Sequence, residues 1–166
     1  MDTKRYILSK DVAEQKLHRL ALEVAEHLSG DEAPLILIGI QNSGSVVAEK
    51  IGSYLQPFIS KPIEILSVSF NKYMPKEITL SNEIDFTDKN VLLIDDVCNS
   101  GKTLLYALKP LLNYYPHRIQ TLVLIERMHK LFPIKPDYVG LSVATTMDDH
   151  IDVEVHENEI TGAYIL

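Results

Sequence analysis

Val91-Leu-Leu-Ile-Asp95-Asp96-Val-Cys98-Asn99-Ser100-Gly101-Lys102-Thr103 is the stretch whose reading decides the fold. Val91 to Ile94 read as a buried strand that delivers two adjacent carboxylates, Asp95 and Asp96. A short loop of small polar residues follows, and a helix is predicted to open after Gly101. That order sets two acids beside a nest of backbone N–H groups at the carboxyl end of a strand. The nest and the helix N-terminus suit a phosphate. The acids suit sugar hydroxyls or a hydrated divalent metal. The tail Ser-Gly-Lys-Thr imitates a triphosphate-binding loop, but that motif needs a glycine five residues before Gly101, where Asp96 stands.

Working outward, Leu35 to Ile40 form a second continuous apolar run, read as a buried parallel strand. Gln41-Asn42-Ser43-Gly44 turn it into a helix expected over about Ser45 to Leu55. Before it, Ser9 or Asp11 can cap a helix reaching about Leu28. Leu17, Leu20, Ala21, Val24 and Leu28 fall on one face of it, and Gly30 supplies the stop. Further strands are expected over Ile63–Phe70, Thr121–Ile125, Tyr138–Val143 and Ile151–Val155. A helix from Lys102 to about Tyr114 should kink or end early at Pro110. Strands alternating with helices predict an α/β fold, a central parallel sheet flanked by helices on both faces. Loops after Ile40 and after Ile94 would then line one crevice.

The stretch 71–90 is polar, with Lys72, Pro75, Lys76, Asn82 and Asp85, and reads as a weak hairpin or flexible flap. The chain of 166 residues is long enough for one domain with its own core. A net charge of −7 works against non-specific nucleic-acid binding. No run approaches a membrane span or a signal peptide, so a cytoplasmic protein is expected. The single cysteine, Cys98, excludes an internal disulfide framework and reads as a small residue lining the loop. His150, Asp152, Glu154 and His156 alternate with apolar residues, as an edge strand with a wet acidic face does; a metal site is the alternative.

Asp95 to Thr103 resembles the phosphoribosyl pyrophosphate (PRPP) signature of the type I phosphoribosyltransferases: two acids, a short spacer, Ser or Thr, Gly, any residue, then Thr or Ser. Gly39-Ile-Gln-Asn-Ser-Gly44 and the stretch from Leu124 to Gly140 extend the similarity over nearly the whole chain. The second stretch points to the branch of bifunctional pyrimidine-operon attenuators and uracil phosphoribosyltransferases. The resemblance implies a single domain over 1–166, with a flap at about 71–90 and a small hood from about 127–166 plus the N-terminus. It implies transfer of phosphoribosyl from PRPP to a nucleobase, with Mg2+ as cofactor and release of pyrophosphate.

By the same resemblance, Asp95 and Asp96 hold the ribose hydroxyls and the metal. Cys98, Asn99, Ser100, Gly101, Lys102 and Thr103 bind PRPP at its 5-phosphate, and Asn42, Ser43 and Gly44 receive pyrophosphate. Lys72 or Lys76 steadies the leaving group from the flap, so the catalytic set is Asp95, Asp96 and Lys72. Glu126, Arg127 and Met147 meet the base. Homo-oligomers are common in the family, with Met128, Leu131 and Phe132 as a candidate contact. In the attenuator branch an N-terminal helix helps make an RNA surface, and here its segment reads His18-Arg19-Leu20-Ala21-Leu22. RNA-binding regulation and a catalytically weak PRPP sensor are therefore the alternative functions. Three departures bear on the rate. Ser43 replaces a basic residue, Lys72 replaces Arg, and Asn99 stands where some purine-using relatives have an Asp able to take a proton.

Overall fold

A computed structural model describes residues 3–71, 73 and 77–166. Lys72 and Lys76, expected to act from the flap, lie outside the described residues. Nine strands and three α-helices are described: β1 (Arg5–Ser9), α1 (Lys10–His27), β2 (Leu35–Ile40), α2 (Gln41–Leu55), β3 (Glu64–Ser69), β4 (Thr79–Leu80), β5 (Asn90–Cys98), α3 (Lys102–Ala107), β6 (Arg118–Arg127), β7 (Tyr138–Val143), β8 (Ile151–His156) and β9 (Glu159–Ile165).

Six strands form the main sheet in the order β4-β3-β2-β5-β6-β7. β3, β2, β5, β6 and β7 run parallel, and only β4 is antiparallel to its neighbour. The expected central parallel sheet is therefore present. The apolar runs explain it. Every residue of β2 is buried, and alternate side chains belong to different cores. Leu35 and Leu37 pack in one cluster with Leu17, Leu20, Val47 and Ile51 from α1 and α2. Ile36, Ile38 and Ile40 pack in a second cluster with Leu104, Ala107 and Phe86. A strand covered on both faces has no wet side to show, so its sequence does not alternate.

Helix ends follow local chemistry. Ser9 Oγ accepts the Val12 N–H at 3.3 Å and starts α1, and Gly30 turns the chain away with φ +79°. α3 stops at Ala107, and residues 109–113 continue as a 3-10 turn containing Pro110. Proline has no N–H to extend the α-helical ladder, so the helix expected to reach about Tyr114 ends early, as its Pro110 predicts.

Four differences from the sequence expectations are structural. β1 and β9 form strands that were not expected, and with β8 they make a separate antiparallel sheet in the order β1-β9-β8. This small sheet lies within the segments expected for the hood, whereas β7, at residues 138–143, belongs to the main sheet. α2 begins at Gln41, not near Ser45, because Gln41 itself makes the turn in a left-handed conformation, φ +48°. Within the polar stretch, β4 pairs with β3 as a short hairpin, whereas Phe86 is fully buried against Tyr114 and belongs to the core.

At the opposite edge of the sheet from the acids, Asp31 anchors the entry to β5. Its carboxylate accepts the Ala33 N–H at 2.9 Å and lies 3.5 Å from Arg118 and 3.7 Å from His117. The Ala33 hydrogen bond first, then Asn90 and the two cations, hold its pKa below the ordinary carboxylate value of 3.8. A depressed folded-state pKa stabilises the fold above the unfolded value, and that contribution disappears as pH falls through the folded one. Asp31→Asn is expected to cost about 1 kcal/mol at pH 7, a partly solvent-screened hydrogen-bonded charge. The deficit should close as pH is lowered below 3.8. Urea unfolding at pH 7 and in acid checks both parts.

Candidate functional site

Sheet order locates the crevice. From β2 the chain moves outward to β3 and β4; from β5 it moves the other way, to β6 and β7. The switch point lies between β2 and β5, the place where open parallel sheets leave room for a ligand at their carboxyl edge. Pairing of β2 with β5 ends at Gly39↔Ile94. β5 continues to Cys98 beside β6 alone, with Val97↔Ile125 and Cys98↔Glu126 as its last pairs. Asp95 and Asp96 thus lie inside a strand that has lost one neighbour, and not beyond its end as the sequence suggests. That lost neighbour is what opens their edge.

The first turn of α2, directly after β2, fills the opening. A Cβ placed on Gly44 would lie 3.0 Å from Ile94 O, 3.1 Å from Asp95 Oδ1 and 3.2 Å from Asp95 Cα, tight contacts that would have to give by a few tenths of an ångström, so glycine favours this close approach of α2 to β5. Asp95 is buried, 1% exposed, and its Oδ1 accepts the Asp96 N–H at 2.9 Å. Asp96 is half-buried, and its Oδ1 accepts the Val97 N–H at 2.8 Å. Asn42 is exposed, Ser43 half-buried and Gly44 buried. α2 opens without a side-chain cap, so no side chain fills the N-terminal N–H positions of that helix.

The loop after β5 is held from above. Ser100 O accepts the N–H groups of Leu131 at 2.9 Å and Phe132 at 3.1 Å. Gly101 takes φ +87°, a left-handed turn suited to glycine, directly before α3. Asp95, Val97 and Cys98 to Leu104 surround a small cavity of about 80 Å³. Asn99 Oδ1 is buried without a hydrogen-bond partner among the described residues, an acceptor left for something else to satisfy. Gly44 therefore sits against Asp95, and Asp95 also lines the small cavity formed by Val97 to Leu104.

A larger cleft of about 740 Å³ opens beside the first loop, between Gln41–Ser45, the end of β3 (Ser67–Ser69) and the β8–β9 turn (Val155, Asn158). Lys50 pairs with Glu159 at 2.6 Å and fixes that turn against α2.

The three base-site candidates fare differently. Glu126, beside Cys98, is paired with Lys130 at 3.1 Å and accepts the Ser142 hydroxyl at 3.1 Å. Arg127 donates to Thr145 Oγ1 and to the carbonyls of Thr146 and Met147, so its guanidinium is spent on shaping the 145–147 loop. Met147 is 87% exposed, its side chain in solvent. Missing from the sequence-derived set is Lys130, which holds Glu126 and the Arg127 carbonyl at 2.9 Å; its i,i+4 spacing from Glu126 was the available signal. Cys98 is buried, and burial pushes its thiol above the ordinary value, which disfavours the thiolate.

Elsewhere, the alternating acids of β8 are occupied. Glu154 pairs with Lys4 at 2.9 Å, and His150 faces Asp152 at 3.2 Å. Among the described residues no group of three or more His, Cys, Asp or Glu is arranged to hold a metal. Magnesium in a phosphate site keeps most of its shell as water and substrate oxygen and needs only one or two carboxylates. Asp95 and Asp96 are hard oxygen donors of the kind that demand calls for. No helix among the described residues is long and apolar enough to cross a membrane.

Comparison with known proteins agrees with this geometry. The phosphoribosyl transferase domain family matches residues 7–158. The chain is 32% identical over 167 residues to the bifunctional protein PyrR of Clostridium novyi (strain NT), covering 95% of this chain and 93% of that protein. It is 28% identical over 172 residues to the PyrR of Bacillus cereus (strain AH820), covering 96% and 94%. Among solved structures it superposes on the hypoxanthine phosphoribosyltransferase of Trypanosoma cruzi with a TM-score of 0.81 at 17% identity, covering 98% of this chain and 95% of that one. A hypoxanthine-guanine phosphoribosyltransferase of Bacillus anthracis gives 0.76 at 21%, with 99% of both chains covered.

Proposed function

The chain belongs to the phosphoribosyl transferase family, and from that premise we propose that it transfers the phosphoribosyl group of PRPP to a nucleobase, uracil-like in kind, in the cytoplasm. One observation carries the reading: Gly44, in the first turn of α2, sits against Asp95 of β5, which supports pyrophosphate and sugar being held by neighbouring residues.

In this reading the bond from the anomeric carbon to pyrophosphate breaks and a bond from that carbon to a base nitrogen forms. The base gives its N–H proton to solvent water, and pyrophosphate leaves with the bonding electrons. Positive charge grows on the ribose and negative charge on the leaving oxygens, so the groups that matter are those aimed at both. Asp95 and Asp96 accept the two ribose hydroxyls and hold the sugar beneath the base. Asn99 to Thr103 cradle the 5-phosphate, largely through backbone N–H groups. Asn42 to Gly44, at the uncapped start of α2, receive pyrophosphate. Asp95 and Asp96 would hold magnesium, which would supply positive charge to offset the negative charge growing on pyrophosphate.

Two features support a pyrimidine-like base. Asn99 has no ionisable proton acceptor to serve a purine ring nitrogen, but its unsatisfied Oδ1 offers a hydrogen-bond acceptor. Glu126 adds a second acceptor beside the crevice, its charge balanced by Lys130. A homo-oligomer is part of the proposal, with exposed Met128 and Leu131 available to a second copy. Regulatory RNA binding has thinner support: Arg19 pairs with Glu23 at 3.4 Å and donates to Gly140 O at 3.1 Å, which leaves it less free for phosphate.

The test is pyrophosphate release from PRPP and magnesium with uracil, cytosine, adenine, hypoxanthine and guanine. Release fastest with uracil is expected. Faster turnover of a purine overturns the base assignment. PRPP binding without release for any base replaces the enzyme with a sensor.

A further inference from the structure

Gln41 is one of the described residues other than glycine that take a positive φ. It carries a side chain in the left-handed region, φ +48°, at the first position of α2. Glycine would take this turn without strain, and Gly39 and Gly44 lie within three residues. A residue with a Cβ persists there only where its surroundings over-determine it. Two hydrogen bonds do so. The Gln41 amide Nε2 donates to the Phe70 carbonyl, and the Ser45 hydroxyl donates to the Gln41 carbonyl.

The Phe70 contact joins two separate walls. Parallel pairing of β2 with β3 runs out at Ile40↔Val68, so no ladder hydrogen bond ties the chain beyond these residues. Gln41 and Phe70 are the next points at which the two segments meet, and Phe70 is itself buried at 8% exposure. Gln41 on one side and Ser67 to Ser69 on the other line the 740 Å³ cleft. The amide thus replaces the missing ladder and sets the separation of the walls.

We infer that Gln41 is a positioning residue, a latch that fastens the first turn of α2, Gln41–Gly44, to the carboxyl end of β3 and so holds the N–H groups of Asn42 to Gly44 in the orientation that receives pyrophosphate. The inference rests on the proposed function for what the loop binds, but not for the latch itself. An amide suits a latch because it donates without charge, so it adds nothing that would hold pyrophosphate after the reaction. Opening it costs one hydrogen bond and frees a strained backbone to relax.

The test compares Gln41→Met, which keeps length and volume but donates nothing, with Gln41→Lys, which reaches as far and donates. Backbone amide exchange of residues 66–71, measured on the ligand-free full chain, should rise in Gln41→Met and stay near the parent rate in Gln41→Lys. Steady-state kinetics should show the KM for PRPP raised about tenfold in Gln41→Met, the worth of one net hydrogen bond, with a smaller change in kcat. Parent-like exchange in Gln41→Met overturns the latch, and so does equal impairment of both variants, since then volume and not donation matters. If the parent protein does not turn over PRPP at all, the proposed function fails while the exchange data still decide the latch.

Discussion

Replacing Asp96 with Asn is expected to lower kcat/KM for PRPP by about 10²–10³-fold, the range found when one electrostatic contact to a transition state is removed. The same change should shift Tm by no more than about 2 °C, the consequence of a stability change near 0.5 kcal/mol in a chain of this size. The asymmetry follows from what Asp96 does at rest. It is half-buried, and its Oδ1 accepts the neighbouring Val97 N–H at 2.8 Å, a bond that the Asn carbonyl oxygen can reproduce. What Asn cannot supply is the negative charge for the sugar hydroxyls and magnesium. Asp95 is a poorer probe, because it is buried against Gly44 and its removal would disturb the loop as well. Kinetics and a thermal melt on one preparation check both halves. A large loss of stability with parent-like PRPP kinetics would make the acid pair structural.

Gly39→Ala is expected to have the largest effect on the architecture of the crevice. An added Cβ would lie 2.5 Å from Ser45 Cα and 2.9 Å from both Gly44 O and Ser45 N. All three are backbone atoms, so no rotamer change relieves the overlap. Gly39 is followed closely by the left-handed Gln41, and the chain folds back so tightly that α2 touches the strand it left. Relief requires α2 to shift away from β2, which carries Gly44 off Asp95. Overpacking of this kind costs about 1–3 kcal/mol. Activity should fall by more than the folded fraction does, since the folded molecules that remain have a displaced loop. Urea unfolding gives the first quantity and specific activity at low denaturant the second. Loss of activity matching the loss of folded protein would mean that the loop re-forms without the close approach.

The main sheet was legible because burial on both faces leaves an unbroken apolar run, as in Leu35–Ile40 and Val91–Ile94. The acids and both loops were legible because their chemistry is local: carboxylates, small residues and glycine must stand in fixed order along the chain. The small sheet was only partly legible. β1 and β9 pair residues at opposite ends of the chain, Arg5 with Ile165, and no short-range pattern encodes a partner that distant. Phe86 gives no signal in sequence because a single aromatic in a polar stretch has no period, yet it fills the core beside Tyr114. Arg127 and Met147 suit the base by position alone. Sequence position does not say that three acceptors of the 145–147 loop already engage the guanidinium. Gln41 is silent for the opposite reason: glutamine carries no charge, and its importance lies in a backbone angle.

Ser43 and Asn99 are weaker groups than the resemblance implies for a fast enzyme, so the most direct test concerns the ligand before the rate. Calorimetric titration of PRPP into the protein, with and without magnesium, measures whether Asp95 to Thr103 form a PRPP site. The expected result is saturable binding at one site per chain that strengthens with magnesium and is lost in Asp96→Asn. Absence of binding, or binding of equal strength in Asp96→Asn, would contradict it.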